Sequence, residues 1–426
     1  MSNASEPRTT SRLLIALTAL IATVPAFPAD NAVDVSARIQ AGIIGNDNGS
    51  KNVFPSGFLN FDEGANLNRA ELLFEKPLKT NLKPRIGPFP GPAPQTAQWG
   101  FEIDLRYGKD AGITFGFDDE LSINDGHENL LLMPQWFVNG HLPVGEGISW
   151  IAGSWFSPVG NEIGAPVDPP TGFYTHAYAF AYGPTKHSGI LASARLPLDR
   201  DTGMASASLG VVRGWNNLQD NNSDKTLIID LHWRSSDFNT WIDLENIIGN
   251  EQTDNGHSEQ TRPFNAISSQ GKKLLRRFHS LTITRRFDKH NRLALNLVAG
   301  FQEGGDVVAD SNNPPGFLIT EDSHWHGVNI NLFHPLRKDL QLGLRLEWLE
   351  DEAGAHALLP AGNYYGATAN LSWWLNPSLR IRPEIRHDWY DGDGKPFGGE
   401  VPAIFHGEET TQWIAAVDVT WFMSRQ

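Results

Sequence analysis

The sequence predicts a closed antiparallel β-barrel of about sixteen strands that spans a membrane. Three observations support this fold class. After residue 29, segments of roughly ten residues alternate apolar and polar side chains along the whole chain. Short and long connections alternate between these segments. The chain also contains 14 tryptophan, 23 phenylalanine and 7 tyrosine residues, enough to form the aromatic belts that mark the two membrane interfaces.

The N-terminus has the features of a secretory signal peptide. Two arginines precede an apolar stretch from Leu13 to Val24, which is too short to span a bilayer as a permanent helix. Small residues favour cleavage after Ala26 or Ala29. We therefore expect 1–29 to be the signal peptide and 30–426 to be a single barrel domain. The alternative is an uncleaved inner-membrane anchor.

Each predicted strand has one apolar and one polar face, because successive side chains of a strand point to opposite sides. In the segment 340–348, leucines and a tryptophan occupy alternate positions, and Arg345 and Glu347 lie between them. The sixteen strands are expected to begin near Val33, Leu67, Gln98, Leu131, Ile148, His187, Met204, Lys225, Asn239, Leu274, Asn291, His324, Asp339, Asn363, Leu379 and Thr411. An even number of strands places both termini on the periplasmic side.

The connections indicate which end of the barrel faces outward. The short connections contain turn-forming residues, as expected for periplasmic turns. The long, polar ones are expected outside the cell and comprise 46–66, 108–129, 158–186, 216–224, 249–272, 303–322, 351–362 and 391–410. The Pro-rich stretch 84–94 falls where a short turn is due, and we interpret it as a periplasmic insertion.

Composition and missing motifs restrict the function. The chain has no cysteine, which removes disulfides, thiolate zinc sites and cysteine nucleophiles. A net charge of -15 argues against nucleic acid as a partner. The sequence contains no phosphate-binding loop, nucleophile elbow or His-Glu-x-x-His motif, so we predict neither an enzyme nor a cofactor. His324 and His326 share a strand face, but no third ligand is evident, and no metal site is predicted.

Short glycine-rich motifs recur between Trp150 and Trp215 and in the first part of the barrel. They are Asn68-Arg69-Ala70-Glu71-Leu72, Gly100-Phe101, Tyr107-Gly108, Ile151-Ala152-Gly153, Phe156-Ser157-Pro158-Val159-Gly160, Tyr174-Thr175-His176-Ala177-Tyr178, Pro184-Thr185-Lys186-His187-Ser188-Gly189-Ile190-Leu191-Ala192, Leu209-Gly210-Val211-Val212 and Gly214-Trp215-Asn216-Asn217. In these motifs the sequence resembles the OmpL-like family of β-barrel porins. The resemblance implies an outer-membrane barrel with porin activity and supplies no catalytic residues.

The connection 158–186 is the candidate constriction loop. A barrel of about sixteen strands has a lumen wide enough for water. Selectivity then depends on the polar wall and on any loop folded inside. The candidate loop residues are Glu162, Asp168, Tyr174, His176 and Lys186. The alternative is a loop that caps the outside or contacts a neighbouring subunit.

A ladder of charged residues occupies one face of the fifteenth predicted strand. Such charges would cost about 2 to 4 kcal/mol each on the lipid face at the midplane, so they are expected to face the lumen. The predicted pore-lining residues are Arg106, Arg345, Glu347, Arg380, Arg382, Glu384, Arg386 and Asp388. Our hypothesis is that the arginines and the loop carboxylates create a transverse field that orients dipolar solutes. The alternative is a hydrated wall of mixed charge.

The sequence therefore predicts an outer-membrane porin of a Gram-negative bacterium, through which small polar or charged solutes diffuse passively. Expected partners are outer-membrane lipid and lipopolysaccharide, bridged by divalent cations at acidic outer loops unless those loop tips are merely solvated. A homotrimer is expected by analogy. The alternatives left open are a barrel enzyme that hydrolyses lipid or peptide, a plugged structural or adhesive barrel, and a soluble exported sandwich.

Overall fold

The computed structural model describes residues 33–49, 63–114, 123–124, 129–160, 162, 172–199, 201–218, 220, 222–251, 273–288, 291–304, 322–352, 360–398 and 407–424. Within these ranges, sixteen long strands form one antiparallel sheet. They are β1 (Asp34–Asn46), β2 (Gly64–Lys76), β3 (Gln98–Gly108), β4 (Leu130–Leu142), β5 (Ile148–Phe156), β6 (Lys186–Leu196), β7 (Met204–Val212), β8 (Thr226–Arg234), β9 (Thr240–Asn250), β10 (Leu275–Arg286), β11 (Arg292–Gln302), β12 (Ser323–Arg337), β13 (Leu340–Asp351), β14 (Gly362–Asn376), β15 (Leu379–Asp391) and β16 (Thr411–Ser424).

Pairing of the first strand with the last closes the sheet. The β1–β16 register runs from Ser36 opposite Ser424 to Asn46 opposite Ile414. The other long strands pair antiparallel with their neighbours in sequence, which confirms the predicted barrel of sixteen strands. The largest error in a predicted strand start is at β2, expected from Leu67 and found from Gly64.

Short elements occupy some of the connections. A 3-10 turn spans Lys109–Thr114, and the helix α1 spans Tyr178–Ala181. A two-residue strand, Ile123–Asn124, pairs with the beginning of β4. None of the helices in the described ranges has the length and apolar character needed to cross a bilayer.

Apolar side chains are exposed on the barrel wall and polar side chains are buried inside it. In β13, Leu344 and Leu346 are 40% and 60% exposed, whereas Arg345 between them is 1% exposed. Leu227, Ile229 and Leu231 of β8 are likewise exposed. A soluble monomer rarely exposes so continuous an apolar surface, but the lipid-facing wall of a membrane barrel does. The soluble sandwich is therefore wrong.

Aromatic side chains mark both ends of the outer wall. Trp373 and Trp421 lie near the short turns and remain partly exposed. At the end with the long connections, Tyr365 stacks on Trp389 with ring centroids 5.3 Å apart, and Trp413 is exposed. Rings with an apolar body and a polar edge are favoured at both membrane interfaces, which explains the high aromatic content of the chain.

The Pro-rich insertion between β2 and β3 turns back into the barrel. Leu82–Lys83 pairs with Gly87–Pro88 in a small hairpin, and we call residues 81–89 the inner hairpin. Arg195 of β6 donates hydrogen bonds to two of its carbonyl oxygens, Asn81 O at 3.0 Å and Phe89 O at 2.6 Å. The insertion thus occupies the short-turn end of the lumen, a direction that the sequence did not indicate.

We predict that an arginine at Leu346 destabilises the barrel far more than one at Leu336. Leu346 lies in the middle of β13, whereas Leu336 lies at the turn end of β12, and both are exposed on the outer wall. Leu346→Arg should lower the free energy of unfolding by about 2 to 4 kcal/mol and Leu336→Arg by about 0 to 1 kcal/mol. Denaturant titration in lipid vesicles measures both, and equal losses would contradict the assignment of the lipid-facing wall.

Candidate functional site

The connection between β5 and β6 crosses the lumen. Its described part, residues 157–160, 162 and 172–185, is called the lumen loop. Tyr178 donates a hydrogen bond from its hydroxyl to Asp388 of β15 at 2.9 Å, and Tyr182 donates one to Asp351 of β13 at 3.0 Å. Seven strands lie between β5 and β13 in either direction around the barrel. The loop therefore reaches the wall opposite its origin.

Arg345 of β13 is the main donor to the lumen loop. Its Nη1 donates to the carbonyl oxygen of Thr175 at 2.7 Å and to Oε1 of Glu162 at 3.2 Å. Its Nη2 donates to Oγ1 of Thr175 at 2.9 Å and to the carbonyl oxygen of His176 at 3.3 Å. One buried guanidinium thus fixes three loop residues, which uses the several fixed donors that arginine offers.

Carboxylates of the wall accept hydrogen bonds from loop N–H groups. Glu384 of β15 accepts from the backbone N–H groups of Tyr174 at 2.6 Å and Thr175 at 2.9 Å, and from Oγ1 of Thr175 at 2.6 Å. Glu347 of β13 accepts from the N–H of Tyr178 at 2.5 Å. These contacts satisfy loop N–H groups that are shielded from water, where an unpaired donor would be costly.

Arg386 connects the wall carboxylates with one another and with the loop. Its guanidinium lies 3.0 Å from Glu347 and 2.8 Å from Asp388, and it donates to the carbonyl oxygen of His176 at 2.7 Å. Arg386 and Asp388 are completely buried. Because each charge has an opposite charge within about 4 Å, the cluster can remain ionised away from water.

Glu162 holds the lumen loop together from within. It accepts hydrogen bonds from the N–H of Ala177 and from Nδ1 of His176, both at 3.0 Å. Burial alone would raise the pKa of Glu162, but the hydrogen bond from His176 and the charge of Arg345 together lower that pKa. For Tyr178 in the same loop, burial and then the charge of Asp388 raise the pKa, so its hydroxyl remains a donor.

The structure brings some of the predicted site residues together and separates others. The group around the lumen loop contains Glu162, Tyr174, His176, Arg345, Glu347, Glu384, Arg386 and Asp388. Arg382 pairs with Asp418 of β16 at 2.7 Å and lies over the ring of Tyr174. Arg380 lies at the short-turn end of the same strand, near Thr420. Lys186 is buried at the start of β6, and Asp168 lies outside the described residues.

The remaining predicted residue, Arg106, belongs to a second charged group on β1, β2 and β3. Arg106 lies 3.0 Å from Asp104 and 3.5 Å from Glu71, and Glu71 also pairs with Arg38 at 2.8 Å. The side chain of Arg38 is 19% exposed and that of Arg69, which pairs with Asp110, is 15% exposed. This part of the inner wall is therefore more accessible to water than the wall under the lumen loop.

Sequence reasoning missed Thr175 and the inner hairpin. Thr175 contacts both Arg345 and Glu384, yet an uncharged loop residue carries no periodic pattern that would distinguish it. Asp418 was detectable, because it lies on the polar face of the last strand and pairs in register with Arg382.

Solved structures of outer-membrane channels share this fold. The channel DcaP of Acinetobacter baumannii aligns with a TM-score of 0.54 and 10% identity over 94% of this chain and 100% of that chain. An anion-selective porin from Comamonas acidovorans aligns at 0.53 and 10% identity over 92% and 99%. The trimer form of OmpT from Vibrio cholerae aligns at 0.52 and 8% identity over 92% and 99%. A search of curated proteins found no match.

The family comparison covers almost the whole barrel. A family model matches residues 32–421, and its description is Putative beta-barrel porin-2, OmpL-like. The match includes the first fifteen strands, most of β16, the inner hairpin and the lumen loop. It agrees with the resemblance of the glycine-rich motifs. The chain therefore belongs to this family and is an outer-membrane porin.

Proposed function

We propose that small polar or charged solutes diffuse passively through the part of the lumen that the lumen loop leaves open, and that the protein is not an enzyme. The supporting observation is that the loop crosses the barrel and is attached to the far wall by buried polar contacts. In this proposal the lumen loop is the constriction, and its position sets the size of solute that passes.

The charged wall residues act mainly by fixing the loop. Arg345 and Arg386 are at most 1% exposed and are paired, so their charges are neutralised within the cluster and do not face an open gap. The transverse electric field that we hypothesised would instead arise where charged side chains remain accessible to water in the lumen. Arg38 and Arg69, with their acidic partners, are the described candidates for contact with permeating solutes.

Export and assembly complete the proposal. We propose a signal peptide that is cleaved after Ala26 or Ala29 and a mature barrel in contact with lipid and lipopolysaccharide. A homotrimer is supported by analogy with OmpT of Vibrio cholerae, which is described in a trimer form. Solute diffusion is supported by the channel and porin descriptions of the structures with the same fold.

We predict that Arg345→Ala loosens the lumen loop. The substitution removes hydrogen bonds to Thr175 and His176, and it removes the positive charge that pairs with the carboxylate of Glu162. Loss of one partner of a buried ion pair should lower the free energy of unfolding by about 3 to 5 kcal/mol. The loop should then leave its place for part of the time, and single-channel recordings should show a larger and noisier conductance.

Arg276→Ala is the matched control for this experiment. Arg276 is also a buried arginine of the inner wall, and it donates to Gln302 of the adjacent strand at 2.7 Å. We expect this control to keep the mean conductance of the wild type. If Arg345→Ala keeps it as well while the barrel stays folded, the loop is not the constriction.

The next prediction concerns the response of the lumen loop to acid. The pKa of Glu162 is lowered below the ordinary 4.5, so its contacts with His176 and Ala177 persist at pH 4.5. A carboxylate with a depressed pKa stabilises the fold above its unfolded pKa, and this stabilisation is lost as the pH falls through its folded pKa. The contribution of Glu162 to the position of the lumen loop, and through it to the conductance, should therefore be lost only below pH 4.5. Glu162→Gln should show the low-pH conductance already at neutral pH, and an unchanged acid transition in that variant would contradict the assignment.

N-terminal processing gives a further prediction. The protein recovered from outer membranes should begin at Phe27 or Asp30, because cleavage follows a small residue in either case. N-terminal sequencing of the mature chain measures this. A chain that still begins at Met1 would instead support the uncleaved anchor.

A further inference from the structure

A cluster of potential metal ligands lies on the inner face of β8 and β9, away from the lumen loop. Asp230 pairs in register with Glu245, and His232 pairs with Asp243. Side chains directly opposite each other on adjacent strands have Cβ atoms about 4.5 to 5.5 Å apart. One ligand atom from each of His232, Asp243 and Glu245 can be chosen so that all lie within 4.8 Å of one another.

The imidazole of His232 is oriented as in many metal sites. Its Nδ1 lies 2.6 Å from Oδ1 of Asp243, a contact that fixes the ring and leaves Nε2 as the potential ligand. The residue is 2% exposed, and Nε2 has no hydrogen-bond partner among the described residues. A buried ring nitrogen without a partner is costly unless something binds it.

The carboxylates of the cluster also have unused oxygen atoms. Oε2 of Glu245, which is 2% exposed, has no partner in the described part of the chain. Asp230 is completely buried, and the nearby N–H of Asn246 does not reach it in hydrogen-bonding geometry. These atoms and Nε2 of His232 belong to neighbouring positions of one inner face, so a single bound ion explains them together.

The charges of the cluster do not balance. Asp230, Asp243 and Glu245 supply three carboxylates, and among the described residues Arg234 pairs with one of them, its Nη1 lying 2.7 Å from Oδ1 of Asp243. Ionised carboxylates that are buried without compensation are strongly unfavourable. A divalent cation would cancel the excess.

The inner hairpin covers this cluster. A Cβ atom on Gly87 would come within 2.8 Å of Cγ of His232, so only glycine fits there, and the positive φ of 90° at this residue also favours glycine. Arg234 donates to the carbonyl oxygen of Ile86 in the same hairpin. The cluster is thus enclosed between the barrel wall and a segment that fills the short-turn end of the lumen.

From this arrangement we propose that Nε2 of His232 and the carboxylates of Glu245 and Asp230 bind a divalent first-row transition metal inside the barrel, while Asp243 holds the imidazole of His232 in place. An imidazole nitrogen combined with carboxylate oxygens suits Zn²⁺ or Mn²⁺, whereas Ca²⁺ and Mg²⁺ favour sites built of oxygen alone. The ion ties β8 to β9 beneath the inner hairpin. This site is independent of the lumen loop and goes beyond the proposed diffusion function.

Zinc titration of the refolded mature barrel, prepared without a histidine tag, tests the proposal. Calorimetry gives the affinity, and elemental analysis after desalting gives the amount bound. The site variants are Glu245→Gln, which keeps the shape of the side chain, and His232→Ala. The control is the double variant His326→Ala, Glu350→Gln, which removes a more exposed histidine–carboxylate pair 2.8 Å apart. Mobility of unheated samples in detergent gels verifies that each barrel is folded.

We expect one Zn²⁺ per barrel for the wild type and the control, at least tenfold weaker binding for each site variant, and much weaker binding of Ca²⁺ to all of them. Three results would overturn the proposal. The wild type could bind no zinc, which would mean that protons neutralise the carboxylates. Folded site variants could bind as tightly as the wild type, or the control alone could lose its binding.

Discussion

Pairing of β1 with β16 closes the sheet, and this closure determines where polar and apolar side chains can lie. Inside a bilayer every backbone N–H and C=O group needs a partner within the protein, and only a closed sheet provides one for every strand. The register from Ser36–Ser424 to Asn46–Ile414 removes both edges. Once the sheet is closed, the outer wall must be apolar. Charged residues near the middle of the membrane then have one low-energy location, which is the lumen.

The lumen must therefore accommodate many charges at close quarters. Wall charges pair with one another, as Arg382 does with Asp418, and with the segments that fold inside. The lumen loop offers carbonyl oxygens to Arg345 and N–H groups to Glu384, while the inner hairpin offers carbonyl oxygens to Arg195. Two segments without long regular structure can lie inside the barrel because polar wall residues satisfy their backbones.

The sequence predicted the fold well because a strand with one lipid face and one wet face has a strict period of two. The inward direction of Arg345 and Arg386 followed from this period and from the cost of charges in lipid. Contacts between segments that are distant in sequence could not be predicted from this period. The backbone N–H of Tyr174 donates to Glu384, a residue 210 positions further along the chain. His232 lies opposite Asp243 because of the register between β8 and β9. Turn-forming residues predicted the Pro-rich insertion, but they do not specify that a turn points into a barrel.

We propose that the barrel keeps a water-filled passage beside the lumen loop. Single-channel recording of the refolded mature protein in a planar bilayer, under a salt gradient, tests it most directly. We expect discrete conductance steps smaller than those of an unobstructed barrel of sixteen strands, with a reversal potential set by the accessible charges near Arg38 and Arg69. A folded barrel that gives no steps would contradict the claim, because the loop and the hairpin would then close the lumen completely.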